Sequence, residues 1–296
     1  MSTPSAVVQP QTQDRRRLPI MTEALDVKDM KLYAEAGSIL ADLEAMGHAA
    51  GSALTVEAVS AFDQLHYHGA DSVRYGIAQL GIGAAARVLE IGAGWGGPSR
   101  VIAAETGARV VALELQQDFH SVGESLTARC GLADRVSHQR ADFLTVDHPA
   151  GSFDHAVSWL ALYHIPDRAA YTAKIHHLLR PGGMLFVEDL MQGTAYTAAD
   201  AETLSRELFS NSMVSAADYV ASVEQAGFEV VAADTMTQDW RAFTTERLAA
   251  FDANRARFIA RHSEALFEAR RHFYAKIVEY FSADAIGGMR LVAHKR

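Results

Sequence analysis

The residues best suited to chemistry lie in one short segment, RVLEIGAGWGGPSR, at residues 87–100. There the carboxylate of Glu90 precedes a loop that contains four glycines: Gly92, Gly94, Gly96 and Gly97. The first, second and fourth match the G-x-G-x-x-G spacing of a dinucleotide-binding loop, whose backbone approaches a pyrophosphate. The last three equally match the end of a G-x-G-x-G-G loop, against which a nucleoside lies. The loop therefore predicts a ligand that contains a nucleoside and leaves its charge open.

The charge of Glu90 separates these two kinds of ligand. A pyrophosphate is doubly negative and binds best to bare N–H groups at a helix N-terminus. A carboxylate about 4 to 6 Å away would oppose it by about a kcal/mol or more at intermediate dielectric. S-adenosylmethionine carries a sulfonium and an ammonium, and both cations gain from a nearby carboxylate. We therefore expect an acidic lip beside the glycine loop and S-adenosylmethionine as the cofactor.

Further candidate ligand residues stand at the ends of the next three predicted strands. Glu114, followed by Leu115, ends the second strand, where a carboxylate can accept hydrogen bonds from both ribose hydroxyls. Asp142 and Phe143 follow the third strand, where a short acceptor and an aromatic ring suit the adenine amino group and the adenine face. Trp159 is predicted to cover the adenine or to line the methyl-transfer site. Together these positions predict a complete nucleoside site.

A histidine after the fourth strand is the first candidate for a catalytic base. Ligands of parallel sheets bind at the carboxyl ends of the strands, and His164 occupies such a position. A methyl acceptor that carries a proton must lose it, and a base with a pKa near 7 is suited to remove it. The alternative is that His164 hydrogen-bonds the loop backbone and shapes the pocket.

A second cluster, His66, Tyr67 and His68, lies in a segment expected to fold over the cofactor. It predicts a lid that orders on binding and contributes His66 to catalysis, whereas the alternative is a set of helix-terminal residues. The two histidines are two positions apart, so they do not share a helical face, and no carboxylate cluster accompanies them. The sequence therefore predicts no metal site.

These residues require a scaffold in which strands and helices alternate. Short apolar runs predict five strands, at residues 87–92, 109–115, 136–142, 153–160 and 183–190. Helical spacing predicts helices between them, at about 98–106, 118–130 and 168–179. This alternation predicts a parallel sheet covered on both faces. Two later runs, 228–236 and 289–296, predict a strand pair at one edge, with a helical insertion at about 239–281 between them.

Helical segments also accompany the sheet at both ends of the chain. Residues 20–83 are predicted to form N-terminal helices and the lid, after a flexible tail at residues 1–19. The insertion carries an aromatic series at helical spacing, which favours a core over an acceptor pocket. Its residues Arg270 and Arg271 are predicted to lie on a solvated face, with phosphate binding as the alternative.

Composition argues against several classes of partner. The 296-residue chain has a formal net charge of −9, which disfavours a nucleic-acid backbone or an anionic membrane as the main partner. The single cysteine, Cys130, excludes an internal disulfide and a cysteine-based zinc site. No apolar run approaches the roughly 18 residues that span a bilayer. We therefore expect a cytoplasmic protein that acts on a small molecule, and its oligomeric state stays open.

The segment from Arg87 to Leu190 resembles the catalytic core of the class I, or Rossmann-like, S-adenosylmethionine-dependent methyltransferases. The glycine loop, the acid at 114, the Asp-Phe pair, FDHAVSWLALYHIPD and LLRPGGMLFVEDL correspond in order and spacing. This resemblance implies an α/β fold, a doubly wound seven-stranded sheet with the last strand antiparallel, in a methyltransferase domain at residues 84–296. HYHGADSV and His164 are most similar to small-molecule N-methyltransferases of the phosphoethanolamine and glycine-betaine type. Trp95 instead resembles the GWG loop of cyclopropane-forming lipid methyltransferases.

The resemblance implies a methyltransferase for a small molecule, with N-methylation of a small amine as the favoured reaction. C- or O-methylation of an isoprenoid or another natural product is the alternative, because the phosphobase enzymes use a lid tyrosine and none stands around Leu54. A nucleotide-dependent oxidoreductase and a non-catalytic nucleoside-binding module are the alternatives from other classes.

Overall fold

A computed structural model describes residues 36–296, and a seven-stranded mixed sheet forms its centre. The strands are β1 Arg87–Ile91, β2 Arg109–Glu114, β3 Val136–Arg140, β4 Phe153–Trp159, β5 Leu179–Gln192, β6 Phe228–Thr235 and β7 Ile286–Lys295. Their order is β3-β2-β1-β4-β5-β7-β6. The first five strands pair in parallel, whereas β7 is antiparallel to both β5 and β6. The predicted doubly wound α/β sheet with an antiparallel last strand is confirmed.

Helices cover both faces of this sheet. Within residues 36–296 they are α1 Ser38–Ala45, α2 Val56–Ser60, α3 Gly69–Leu80, α4 Gly97–Thr106, α5 Gln117–Arg129, α6 Arg168–Leu178, α7 Ala198–Leu208, α8 Ala216–Gln225, α9 Thr237–Ala253, α10 Arg255–Arg261 and α11 Glu264–Ser282. A short 3₁₀ turn, Leu162–His164, follows β4. None of the helices in this part of the chain combines the length and the apolar character that a membrane crossing requires.

The central strands are buried on both faces, as parallel strands between two helical layers are. Val88 and Leu89 are neighbours in β1, point to opposite faces and are both fully buried. Leu89 packs in the cluster that includes Ile175 of α6, and Val88 in the cluster that includes Val73 of α3. Because the strands on either side of β1 are parallel to it, the carboxyl ends of β1, β2 and β4 meet at one edge. That edge carries most of the candidate site residues.

The structure departs from the sequence prediction at the start of β5 and in the stretch between β5 and β6. β5 begins at Leu179 rather than at residue 183, and a register irregularity in its pairing with β4 accommodates the Pro-Gly-Gly turn. Helices α7 and α8 lie in a stretch for which no element is predicted. The signal for α7 was present, because Thr197 and Asp200 form a capping box at its start. The predicted tail and the first part of the N-terminal helical region lie outside the described residues.

The predicted helical insertion before the last strand is confirmed, and it consists of α9, α10 and α11. Trp240 of α9 is fully buried and belongs to a cluster with Phe281 of α11 and Ile286 of β7. Residues 61–68, which join α2 to α3 and are called the lid segment below, reach this cluster through Tyr67. Its ring centroid lies 5.0 Å from that of Trp240. The lid segment and the insertion therefore pack directly against each other.

Candidate active site

The glycine loop joins β1 to α4 in a conformation that requires glycine. Gly92, Gly94 and Gly96 have φ angles of 76°, 52° and 75°, in the left-handed region. A Cβ at Gly92 would lie 2.2 Å from the Cβ of Ala161, so the loop closely approaches the chain after β4. The N–H of Gly92 donates to the carbonyl of Leu113 at 3.0 Å. The loop is thus held against the end of β2.

Glu114 ends β2 with its carboxylate beside the glycine loop. Its Oε2 accepts the N–H of Gly94 at 2.8 Å, and its Oε1 accepts the N–H of Gln116 at 2.8 Å. Burial raises the pKa of Glu114, and these backbone donors oppose that effect. Because each carboxylate oxygen has two lone pairs, both retain the capacity to accept a hydroxyl. Leu115, the next residue, is half-buried.

Glu90 does not form the exposed acidic lip that the sequence predicts. Its side chain is 2% exposed, and the hydroxyl of Ser99 on α4 donates a short hydrogen bond to its Oε2. Burial raises the pKa of Glu90 to about 8, against the opposing effects of Ser99 and the Arg100 guanidinium. The carboxyl is therefore mostly protonated at neutral pH until a cation comes close to it. The acid stands at the expected strand end, but its charge depends on its surroundings.

The three residues predicted to surround adenine each have local contacts. The Oδ1 of Asp142 accepts the N–H of Leu144 at 2.9 Å and closes the turn after β3. Phe143 is buried in the core on the α6 side of the sheet. Trp159 lies on the opposite side, where its Nε1–H donates to the Oγ of Ser72 on α3 at 2.9 Å. Their contact with adenine stays a prediction.

His164 lies in the 3₁₀ turn after β4 and is 6% exposed. Its Nδ1 is 3.0 Å from the carbonyl oxygen of Phe209, which makes Nδ1 the donor and leaves Nε2 as the acceptor. Burial lowers the pKa of His164 to about 4, so the ring is neutral at physiological pH. The turn is anchored on both sides, since Asn211 donates to the His164 carbonyl at 2.8 Å and the Tyr163 N–H donates to Asp189 at 3.3 Å.

His66 in the lid segment is also buried. Its Nδ1 is 3.0 Å from the carbonyl of Tyr67, and its Nε2 is 2.8 Å from the Oε1 of Gln64. Burial lowers the pKa of His66 to about 4. Its ring centroid lies 5.7 Å from that of Trp159, so the lid segment reaches the end of β4. Across residues 36–296 no three histidine, cysteine, aspartate or glutamate side chains converge in a way that could hold a metal.

A buried ion pair that the sequence reasoning missed ties the lid segment to the glycine loop. Arg100 on α4 is fully buried, and its Nη2 donates to the Oδ2 of Asp63 at 2.7 Å. Its Nη1 donates to the Oγ1 of Thr127 at 2.9 Å. Asp63 in turn accepts the side-chain amide of Gln64 at 2.8 Å. The sequence contained an indication of this pair, because Arg100 is the one charged residue in the run GGPSRVIAA. A lone arginine there places a cation on a helix face that packs against protein.

A cavity of about 810 Å³ lies between the lid segment, the glycine loop and the insertion. Its volume is typical of a site for a small molecule. Seven aromatic residues line it together with aliphatic, polar and charged ones: Phe62, Trp95, Phe119, Phe209, Phe243, Phe273 and Tyr274. Gln64, Leu65 and His66 enter the same cavity from the lid segment. The cavity therefore extends from a residue of the glycine loop to the helices of the insertion.

The aromatic series of the insertion divides between core and cavity. The rings of Phe251, Phe258 and Phe267 pack on one another with centroids 4.8 to 5.9 Å apart, as predicted for a core. Phe243 and Phe273 do both, because they pack against the core cluster of Trp240 and Phe281 and also line the cavity. Helical spacing alone does not distinguish the two outcomes, because it marks the side of a helix that faces the protein and not whether a cavity lies there.

Comparison with known protein families agrees with this architecture. The model of the mycolic acid cyclopropane synthetase family matches residues 61–290, from the lid segment into β7. The chain belongs to this family. Membership in the mycolic acid cyclopropane synthetase family confirms the predicted class, an S-adenosylmethionine-dependent methyltransferase, and with it the cofactor expected for that class.

Individual relatives are similar over part of their length. A sterol 24-C-methyltransferase of Eremothecium gossypii is 34% identical over 124 residues, which are 42% of this chain and 33% of that protein. Methyltransferase GfsG of Streptomyces halstedii is 30% identical over 177 residues, 59% of this chain and 64% of that protein. The chain therefore spans between a third and just under two thirds of these relatives.

A solved structure supports the fold across most of the chain. Phosphoethanolamine N-methyltransferase 2 of Haemonchus contortus, crystallised with S-adenosyl-L-methionine, superposes with a TM-score of 0.76 at 19% identity. The match covers 91% of this chain and 59% of that one. At 19% identity this similarity establishes the fold of the chain. It does not identify a substrate.

The residues present fit the cofactor of the family. Glu114 and Glu90 end neighbouring strands beside the glycine loop and offer acceptors to hydroxyls and to cations. A pyrophosphate would meet these two acids instead, and Arg100, the cation closest in sequence to the loop, is committed to Asp63. The donor set of this cyclopropane synthetase family member therefore suits a cationic nucleoside better than a dinucleotide.

Proposed function

We propose that this protein transfers a methyl group from S-adenosylmethionine to a small, largely apolar molecule, with a carbon atom as the favoured acceptor. The observation that carries the proposal is the aromatic cavity. Trp95 of the glycine loop lines it on one side and the insertion on the other, so a molecule inside it lies next to that loop. An apolar wall of this kind favours an apolar acceptor.

The strand ends and the glycine loop would hold the cofactor. S-adenosylmethionine supplies a methyl group that is activated by its sulfonium charge. Glu114 would accept the ribose hydroxyls through the lone pairs that Gly94 and Gln116 leave available. Glu90 would ionise next to the bound cation. With the acceptor enclosed in the cavity, alignment of the two reactants can supply several kcal/mol of the rate enhancement.

The basicity of His164 favours carbon over nitrogen. Burial lowers its pKa to about 4, and its Nε2 is the free acceptor of the ring. A protonated amine has a pKa of about 10, so moving its proton to such a base is uphill by about 8 kcal/mol. The cation formed by methylation of an alkene is a far stronger acid and loses its proton even to a weak base. His164 does not itself line the cavity but lies behind the lining residue Phe209, and a carbon acceptor is the better match to a base of this strength.

N-methylation of a small amine, which the sequence favours, stays a prediction. A small amine would fill little of the cavity, and its charge would gain nothing from His66 or His164, whose pKa values are both lowered by burial. The name of one relative, a sterol 24-C-methyltransferase, adds support for carbon. O-methylation of a natural product is the next alternative.

Calorimetric titration with S-adenosylhomocysteine tests the cofactor site. We expect micromolar binding to the wild type and binding weaker by about tenfold to a hundredfold in Glu114→Gln, because a charged acceptor is replaced by a neutral one. Glu124→Gln, on an exposed face of α5, is the matched control and should bind as the wild type does. Binding of nicotinamide nucleotides in place of S-adenosylhomocysteine would support the oxidoreductase alternative.

Turnover of labelled S-adenosylmethionine tests the acceptor. Three panels of comparable size would be compared: isoprenoid and sterol alkenes, phenols, and amines. We expect product from the alkene panel. Product from the amines alone would establish N-methylation, and product from the phenols alone would establish O-methylation. Cofactor binding without turnover in any panel would support a non-catalytic binding module.

A further inference from the structure

The cavity wall carries more positive than negative charge. Of the two acids that line it, Asp42 pairs with Arg261 at 2.6 Å and Glu207 accepts a hydrogen bond from the neutral Tyr280 hydroxyl. Three cations line it as well: Arg247, Arg270 and Lys276. Lys276 pairs with Glu279 at 3.2 Å. Two arginines therefore face the cavity without a carboxylate partner among residues 36–296.

Arg247 of α9 is held by aromatic rings rather than by an acid. Its guanidinium carbon lies 4.4 Å from the ring centroid of Tyr274, 5.1 Å from that of Tyr67 and 5.7 Å from that of Phe243. Its Nε is buried and has no hydrogen-bond acceptor. An aromatic face stabilises a guanidinium by cation–π attraction and does not accept hydrogen bonds from the N–H groups, which lie in the plane of the guanidinium. The guanidinium also forms a side-chain hydrogen bond with Tyr67, and no carboxylate among residues 36–296 neutralises its charge.

Arg270 reinforces this charge from α11. Its Nη2 donates to the hydroxyl of Ser38 at 3.2 Å, and its guanidinium carbon lies 5.2 Å from the ring centroid of Phe258. By contrast, the neighbouring Arg271 pairs with Asp252 and is about half-exposed. The sequence places both arginines on a solvated face, but the structure does so only for Arg271.

An unpaired guanidinium beside an apolar cavity selects for a particular kind of molecule. A cationic acceptor would be repelled by the guanidinium, and a neutral apolar one would leave its charge without a counterion in the cavity. A carboxylate or a phosphate monoester can accept two parallel hydrogen bonds from a guanidinium in the geometry that arginine offers. The rest of the acceptor would then lie against the aromatic wall.

We infer that the methyl acceptor is an amphiphile with an anionic head group, and that Arg247 binds this head group. This inference rests on the proposed function in that the cavity is taken as the acceptor site. Carboxylate and phosphate heads share the chemistry that Arg247 recognises. The class of acceptor is thereby narrowed from any apolar molecule to an anionic one.

Four probes with one tail and different heads test the inference: decanoate, decyl phosphate, decanol and decylamine. Their affinities would be measured below the micellar concentration by quenching of tryptophan fluorescence, with Trp95 on the cavity wall as reporter. We expect decanoate or decyl phosphate, or both, to bind the wild type at least tenfold more tightly than decanol and decylamine. The tighter of the two identifies the head group. Equal affinity for all four heads would overturn the inference.

Variants at Arg247 locate the preference. Arg247→Met keeps the apolar stem and should reduce the anion preference to twofold or less, whereas Arg247→Lys keeps the charge and should retain part of it. Arg271→Met removes another arginine between α9 and α11 and should leave the preference unchanged, which makes it the matched control. A preference that survives in Arg247→Met would overturn the assignment. Should Arg247→Met fold poorly in urea titrations, Arg247→Gln provides the same test.

The inference and the proposed function fail in different ways. Arg247 lies outside the strand ends that would bind the cofactor, so its variants should bind S-adenosylhomocysteine like the wild type. Absence of S-adenosylhomocysteine binding in the wild type would remove the methyltransferase proposal while the head-group preference could still be measured. Intact cofactor binding without a head-group preference would remove the present inference alone.

Discussion

The two halves of the candidate site are built in different ways. The cofactor half consists of residues that directly follow strands, so the parallel sheet alone brings Glu90 and Glu114 to one edge. The cavity half draws its wall from α1, the lid segment, α7, α9 and α11, which are far apart in sequence. The first half is therefore fixed by local sequence, whereas the second depends on how remote helices pack.

The halves also differ in charge. The cofactor half presents the acids Glu114 and Glu90, and Glu90 becomes charged when a cation comes close to it. The cavity half presents the cations Arg247 and Arg270. A cationic donor and an anionic acceptor would each find the opposite charge in its own half. Arg100 and Asp63 connect the halves, because the first lies on the glycine-loop helix and the second in the lid segment.

Removing that connection should give the largest effect. We expect Arg100→Met to lower the free energy of unfolding by about 3 to 5 kcal/mol, because the buried Asp63 carboxylate loses its cationic partner. Urea unfolding measures this loss. Arg74→Met, which breaks the exposed pairs with Asp71 and Glu105, should change stability by less than about 1 kcal/mol. Recovery of stability in the double variant Arg100→Met/Asp63→Leu would confirm the cause. Equal losses of stability in Arg100→Met and Arg74→Met would contradict it.

Removal of the proposed proton acceptor, His164, should lower turnover without weakening cofactor binding. We expect His164→Ala to lower turnover by about a hundredfold, because general bases contribute effects of that order, while S-adenosylhomocysteine affinity stays near the wild-type value. Steady-state rates and calorimetry on the same preparation measure both quantities. His177→Ala, at the end of α6, is a histidine control of similar size. Normal turnover in His164→Ala would assign its ring to packing.

The buried acid of the cofactor half should give a smaller effect, visible in the pH dependence of stability. The pKa of Glu90 is raised from 4.5 in the unfolded chain to about 8 in the folded one. Its stabilising contribution is therefore complete below pH 4.5 and is lost as the pH rises through 8. Between pH 6 and 8 the wild type should lose about 2 kcal/mol more than Glu90→Gln, measured by urea unfolding.

The same substitution should weaken S-adenosylhomocysteine binding, because the variant cannot ionise next to an ammonium. Glu124→Gln should follow the wild type in both measurements. A pH dependence that is identical in the wild type and Glu90→Gln would show that this carboxyl titrates normally.

What could be predicted from the sequence follows the division between the halves. The strands and the positions of Glu90 and Glu114 follow from short apolar runs and from glycines next to strands. The protonation of Glu90 could not, because it depends on the burial that Ser99 and α4 create. The role of Arg247 could not either, because its aromatic neighbours come from the lid segment, α9 and α11.

Phe209 contributes to both halves of the candidate site. Its carbonyl fixes the tautomer of His164, its ring faces the cavity, and its φ of 51° is unusual for a residue with a side chain. Glycine would relieve the strain but delete the ring, and a β-branched residue would aggravate the strain. Evolution of a new acceptor specificity at this position is therefore constrained, since any remodelling of the cavity floor there also disturbs the orientation of the imidazole.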